Sequence, residues 1–244
     1  MIPKKINYIF GLDKDFCRKP FLYFHYLNIL SAHKCNPTYT INVYYEYKPD
    51  SIHFDALSEF CNVNRVDINY DINFSYKEHI GDLFRLNLLY DDGGIYLDVD
   101  VACVNSFDTL LGHNVVMGEE RTSDGKFVGL CNATILSKRK DPFIQEWITK
   151  YYTDYNNNWN YNSVILPAKL KDTYDICVMD CNAFFKYSWD EMGSEYIFCR
   201  NSDLTDCYSL HQWESKNYNF LKYYDNEYIM SHDDTLSMIY KDLI

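Results

Sequence analysis

The sequence predicts an α/β fold: a Rossmann-like, mostly parallel sheet flanked by helices, becoming mixed in its C-terminal half. Three observations carry this expectation. Through residues 1–104, apolar segments of strand length alternate with segments of helical period in the order β-α-β-α-β-α-β. Strands joined through helices pair in parallel, with the crossovers lying on the sheet faces. At 79–104, HIGDLFRLNLLYDDGGIYLDVDVACV, a helix with apolar residues on most faces stops at Asp91-Asp92-Gly93-Gly94 and a short buried strand follows at once. Finally, 244 residues can enclose one sizeable core, and no repeat or long linker divides them, so 1–244 is expected to be a single domain.

The elements follow in order. Residues 6–10 form the first buried strand, with Pro3 tolerated just before it and Gly11 ending it. Phe21, Phe24, Leu27 and Leu30 recur at helical spacing over 20–33, placing His25 and His33 on helix faces with no ligand role. Residues 40–45 alternate as a strand, 54–60 form a short helix and 66–72 an extended segment. Helix 80–90 and strand 95–97 come next. A strand at 115–118 leads to Glu119, Glu120 and Arg121, then to a turn-rich loop at 122–126 and a strand at 131–136. Pro142 opens a helix to about residue 151 with Phe143, Trp147 and Ile148 facing the core. The asparagine-rich 154–163 reads as a surface loop, 164–180 as helix then strand, and Phe184 and Phe185 as core. In His232-Asp233-Asp234 the acidic pair caps a last helix over 235–243 rather than binding metal.

Composition narrows the function. A net charge of −12 argues against a nucleic-acid ligand, whose binding relies on Lys and Arg neutralising phosphates. No segment approaches the roughly 20 uninterrupted apolar residues of a membrane span, and MIPKKINYIF lacks a signal-peptide core, so a cytoplasmic protein without an integral membrane segment is expected. Nine scattered cysteines, an odd number without paired zinc spacing, suit reduced thiols. The 24 tyrosines suit a polar cleft, although an AT-rich coding bias accounts for them equally well.

Asp98 and Asp100 stand where the strand at 95–97 ends. Residues i and i+2 of a strand share a side, so the two carboxylates are expected to converge. Two such charges repel unless one takes a proton or a cation lies between them, and oxygen ligands beside phosphates suit Mg²⁺ or Mn²⁺. Asp82 and Arg85, at i and i+3 of the preceding helix, are neighbours.

The stretch G-D-L-F-R followed by D-D-G-G-I-Y-L-D-V-D resembles the core of glycosyltransferase family 32. That family includes yeast-type initiating mannosyltransferases and bacterial capsular polysaccharide transferases, and its core is similar to that of the clostridial glucosylating toxins. The residues carrying the resemblance are Asp82, Arg85, Gly93, Gly94, Tyr96, Asp98 and Asp100. It extends to I-P-K-K-I-N-Y-I-F-G at 2–11, where Phe10 replaces the family's base-stacking tryptophan and Asn7 its histidine.

The resemblance implies a GT-A fold, with a nucleotide-binding part at about 1–104 and an acceptor and closing part at about 105–244. It also implies a metal-dependent, retaining transfer from a UDP- or GDP-sugar to a glycan or other hydroxyl acceptor. Asp82 and Arg85 would hold donor-sugar hydroxyls; Phe10, Tyr96, Asp98, Asn132 and Ser215 would contact nucleotide or sugar. Asp98, Asp100 and His211 would hold Mn²⁺ or Mg²⁺. Ser215 is expected on a loop over the diphosphate, with Lys216 in place of a family tryptophan. Two readings stay open beside this one: a haloacid-dehalogenase-type phosphatase using Asp98 and Asp100, and an inactive transferase-like protein that binds sugar nucleotides.

Overall fold

The computed structural model describes residues 1–12, 14, 20–70, 74 and 76–244. The elements run β1 (Lys5–Ile9), α1 (Tyr23–Cys35), β2 (Thr40–Tyr45), α2 (Ile52–Ala56), β3 (Asn62–Arg65), α3 (Glu78–Asp92), β4 (Gly94–Leu97) and β5 (Val101–Cys103). The second half continues with β6 (Val115–Arg121), β7 (Phe127–Ser137), α4 (Pro142–Thr153), α5 (Leu166–Leu170), β8 (Cys177–Met179), α6 (Glu191–Phe198) and β9 (Ser209–His211). Helices α7 (Glu214–Leu221), α8 (Asn226–Ser231) and α9 (Thr235–Lys241) close the chain.

Among the described residues the main sheet has the order β3-β2-β1-β4-β7-β6-β8. The first four strands are parallel, β7 runs against both β4 and β6, and β8 is parallel to β6. This is the mostly parallel sheet, mixed in its second half, that the alternation of elements predicts. Ile95 and Leu97 face one apolar layer with Phe24 and Leu27 of α1 and Phe54 of α2. Tyr96 faces the other, with Leu83, Leu86 and Leu89 of α3 and Phe143 and Trp147 of α4.

The turn between α3 and β4 sets the position of everything after it. The helix runs through Asp91 and Asp92, two residues past the expected stop, and ends where Gly93 adopts φ 67° and donates its N–H to Leu89 O at 2.9 Å. A Cβ on Gly93 would come within 2.7 Å of Arg139 N, so the turn is closed to any side chain.

Three expectations change. The third strand is Asn62–Arg65, and Val66 and its neighbours as far as Tyr70 lie outside any strand; Asp71 and Ile72 lie outside the described residues. β3 is an edge strand with little burial, so it needs no apolar alternation, and its polar residues have a purpose. Asn62 donates to Asn42 Oδ1 (3.1 Å), Asn42 to Asn7 Oδ1 (2.9 Å) and Asn7 to Ile95 O (3.2 Å), an amide ladder across β3, β2, β1 and β4. Part of the expected surface loop at 154–163 is interior, because Asn162 is fully buried in a π-helical turn (Tyr161–Ile165) and its carbonyl accepts from Trp147 Nε1. Ser215 lies in the first turn of α7 rather than on a loop.

Candidate active site

β4 ends at Leu97, so Asp98 and Asp100 do not meet through the strand pleat. A turn brings them together: Val101 N–H donates to Asp98 O (3.0 Å), and Asp98 N–H donates to Ala133 O (2.9 Å). β5 then pairs with β9 in a register that sets Val101 opposite His211. His211 Nε2 therefore stands 3.3 Å from Asp100 Oδ2, which also accepts the Glu214 N–H at 2.8 Å. One ligand atom from each of Asp98, Asp100 and His211 lies within 4.8 Å of the other two. Two carboxylates and an imidazole at that separation could hold a divalent cation.

The electrostatics of this cluster favour added positive charge. Burial opposes the charged form of Asp100, but the His211 ring and the Glu214 N–H outweigh it and hold the carboxyl at about 2. Burial alone would lower His211; the carboxylates of Asp100 and Asp98 raise it instead. Asp98 is raised by burial and by the charge of Asp100, and Arg85 only partly offsets them.

Arg85 links this cluster to α3. Its guanidinium is buried, 3.0 Å from Asp98 Oδ1 and 3.3 Å from Asp82 Oδ1, and donates to Asn132 O at 3.0 Å. It also lies 4.3 Å above the Tyr96 ring, whose hydroxyl donates to Asp98 Oδ1 at 2.6 Å. Asp82 in turn accepts from Asn132 Nδ2 and from the Tyr151 hydroxyl of α4, each at 2.7 Å. The i, i+3 pair expected on the helix is thus present, and it is also the base of a network that fixes the orientation of Asp98.

A second buried network holds the turn from the opposite side. Asn28 of α1 donates to the carbonyl of Val99, the residue between the two aspartates, at 2.9 Å. Asn28 also exchanges hydrogen bonds with Gln212, next to His211, and accepts from the Tyr240 hydroxyl of α9 at 2.7 Å.

These groups border a cavity of about 440 Å³, within the roughly 300–1,000 Å³ of small-molecule sites. Asp82, Arg85, Asp98, Asp100, Asn132, His211 and Ser215 all line it. A smaller cavity of about 160 Å³ lies beyond Arg85 and Asp98 and is lined by Phe10 and Tyr96. Phe10 rests edge-on against Phe21 at 5.1 Å. Every site residue expected from the sequence therefore lines one of two cavities that share Arg85, Asp98 and Glu214.

Sequence reading passed over Glu120, Trp189, Trp213 and Glu214, which also line the larger cavity. Trp213 and Glu214 directly follow His211-Gln212, so their neighbourhood was the available signal. Trp213 takes φ 56°, uncommon for a bulky residue, and packs its ring 3.9 Å from that of His211. Nothing in the local sequence around Glu120 or Trp189 marks them.

Residues 26–117 match the family described as "Glycosyltransferase sugar-binding region containing DXD motif". The whole chain is similar to glucan organizing enzyme 1 of Cryptococcus neoformans var. grubii, 25% identical over 262 aligned positions and 71% of that protein. A stretch covering 34% of the chain is 33% identical to an uncharacterized Arabidopsis thaliana protein, of which it spans 12%. Among solved structures, the glycosyltransferase GlyE of Streptococcus pneumoniae superposes with a TM-score of 0.56 at 13% identity. All of this chain is covered in that superposition, and 60% of the GlyE chain.

Proposed function

We propose that the chain is a DXD-type glycosyltransferase with the GT-A fold and that it moves a sugar from a UDP- or GDP-sugar to a hydroxyl acceptor with a divalent metal at Asp98, Asp100 and His211. The observation that carries this reading is the convergence of those three side chains on the wall of a cavity also lined by Asp82 and Arg85. The phosphatase alternative has no comparable support, since the sequence match covers the Asp-x-Asp stretch as part of a transferase region.

The residues present suit Mn²⁺ or Mg²⁺. Two carboxylate oxygens and an imidazole whose Nε2 already faces Asp100 Oδ2 form a hard to borderline donor set. When bound, the metal would supply positive charge to the diphosphate of the leaving nucleotide. Asp98, fixed by Arg85 and the Tyr96 hydroxyl, sits between the two cavities and would orient the donor across them. Phe10 would meet the base in the smaller cavity, while Arg85, Asp82 and Asn132 would face the donor sugar. Ser215 would approach the diphosphate from the start of α7. Retention of anomeric configuration follows the family resemblance. Residues 1–244 would act as one catalytic domain, and the eight described cysteines, all free thiols, suit a cytoplasmic setting.

The test is calorimetric binding of UDP and GDP with Mn²⁺ and with chelator, beside a screen of nucleotide-sugar hydrolysis. Metal-dependent binding of one nucleotide and hydrolysis of a matching donor are expected. Equal binding with and without metal, or no turnover of any donor, would overturn the reading.

A further inference from the structure

The larger cavity has a wall that the metal and donor reading leaves unused. Trp189 lines it and stays 38% exposed, although burial of such a ring is favourable. Its indole N–H donates to Glu120 Oε1 at 3.2 Å, and Glu120 is itself 6% exposed and lines the same cavity. Among the described residues no Lys or Arg pairs with Glu120, and burial raises its carboxyl above the usual range, the Cys131 thiol and the His211 ring offsetting only part of this.

The segment bearing Trp189 is held from both sides. Trp213 Nε1 donates to Tyr187 O at 2.8 Å. Asp190 accepts from Ser123 N and Oγ (2.9 and 2.6 Å) and caps α6 through Gly193 N. A Cβ on Gly193 would meet Ser188 O at 1.9 Å, so only glycine lets α6 approach the segment this closely. An indole presented by a segment tied down this firmly is oriented before any ligand arrives.

We infer that Trp189 and Glu120 form the acceptor subsite of this enzyme and that the acceptor is a carbohydrate. The inference rests on the transferase reading for the word acceptor, but the recognition chemistry stands by itself. The apolar C–H face of a pyranose stacks on an exposed aromatic ring, and its hydroxyls donate to a carboxylate. Glu120 holds the indole through Oε1 and meets the Cys131 thiol, and a carboxylate with about four lone-pair sites can accept from a sugar hydroxyl as well. Trp159, 49% exposed on the same cavity, offers a second ring, which favours an oligosaccharide over a single sugar.

The test titrates the full chain with maltotriose, cellotriose, laminaritriose and mannotriose by calorimetry, each with and without Mn²⁺ and nucleoside diphosphate. At least one trisaccharide is expected to bind wild type. Trp189→Ala should weaken it by about tenfold or more, as loss of a stacked ring does, and Trp189→Phe by less. Glu120→Gln, which keeps size and an acceptor oxygen but no charge, should fall between wild type and Trp189→Ala. Nucleoside-diphosphate affinity should stay within about twofold in both Trp189 variants, since that ring does not touch the nucleotide in the proposed arrangement. Binding of no trisaccharide by wild type, equal binding by Trp189→Ala, or parallel loss of nucleotide binding would overturn the inference. Trisaccharide binding that needs Trp189 in a protein that binds no nucleotide would sink the transferase reading and leave the carbohydrate subsite standing.

Discussion

Asp100 and Arg85 carry opposite kinds of risk when changed. Asp100 sits beside Asp98, but His211 and the Glu214 N–H favour its charged form on balance, so Asp100→Asn removes a stabilising contact as well as a ligand. The variant is expected to fold with a modest loss of stability and to lose metal-dependent nucleotide binding, measured by calorimetry with Mn²⁺ and with chelator. Arg85 is different. Its i, i+3 spacing from Asp82 predicts a surface-like pair whose removal spares folding, but the guanidinium is buried between Asp82 and Asp98. Arg85→Ala leaves the buried Asp82 and the partly exposed Asp98 carboxylates without their cation and should cost about 3–5 kcal/mol, read by urea denaturation. Arg85→Lys keeps the charge and loses the two-sided contact; it should lose less stability and show a raised KM for the donor.

At the scale of elements, the site depends on where strands stop and turns begin. Gly93 closes α3 in a left-handed conformation, and four residues of β4 then deliver Asp98. Gly93→Ala should cost about 1–2 kcal/mol from the backbone conformation alone, with more from the approach to Arg139 N. A fall in the thermal midpoint, with donor affinity falling in the same variant, is the expected result. An unchanged midpoint would mean that the turn relaxes and does not set the position of β4. The pairing of β5 with β9 acts in the same way: a register shift of one residue would remove His211 from Asp100.

Across the whole molecule, α1, the Asp98–Asp100 turn, the end of β9 and α9 meet in one buried polar network centred on Asn28. Elements distant in sequence thus hold the candidate metal ligands in place. Asn28→Ala removes the donor to Val99 O and strands the partner groups on Gln212 and Tyr240, at a cost of about 2–3 kcal/mol. The same variant should weaken Mn²⁺-dependent nucleotide binding although Asn28 touches neither ligand in the proposed arrangement. Stability loss with unchanged nucleotide affinity would make the network structural only. Among the described residues no helix is long and apolar enough to cross a membrane.

The parts of the protein legible in the linear chain are those governed by local rules. The alternation of apolar periods set the mostly parallel sheet, and the glycine pair after α3 set the turn before β4. The fixed spacing of Asp82, Arg85, Asp98 and Asp100 marked the site, because neighbours within one helix and one turn stay neighbours however the chain packs. His211 was legible as the end of an apolar strand, but its contact with Asp100 exists only because β5 and β9 pair across about a hundred residues. Edge strand β3 was misplaced because an exposed edge imposes no apolar pattern, and its asparagines act through neighbouring strands. Asn28, Glu120 and Trp189 carry no local signal at all. Each gains its place from a partner more than 60 residues away, and only the folded chain brings those partners within hydrogen-bond reach.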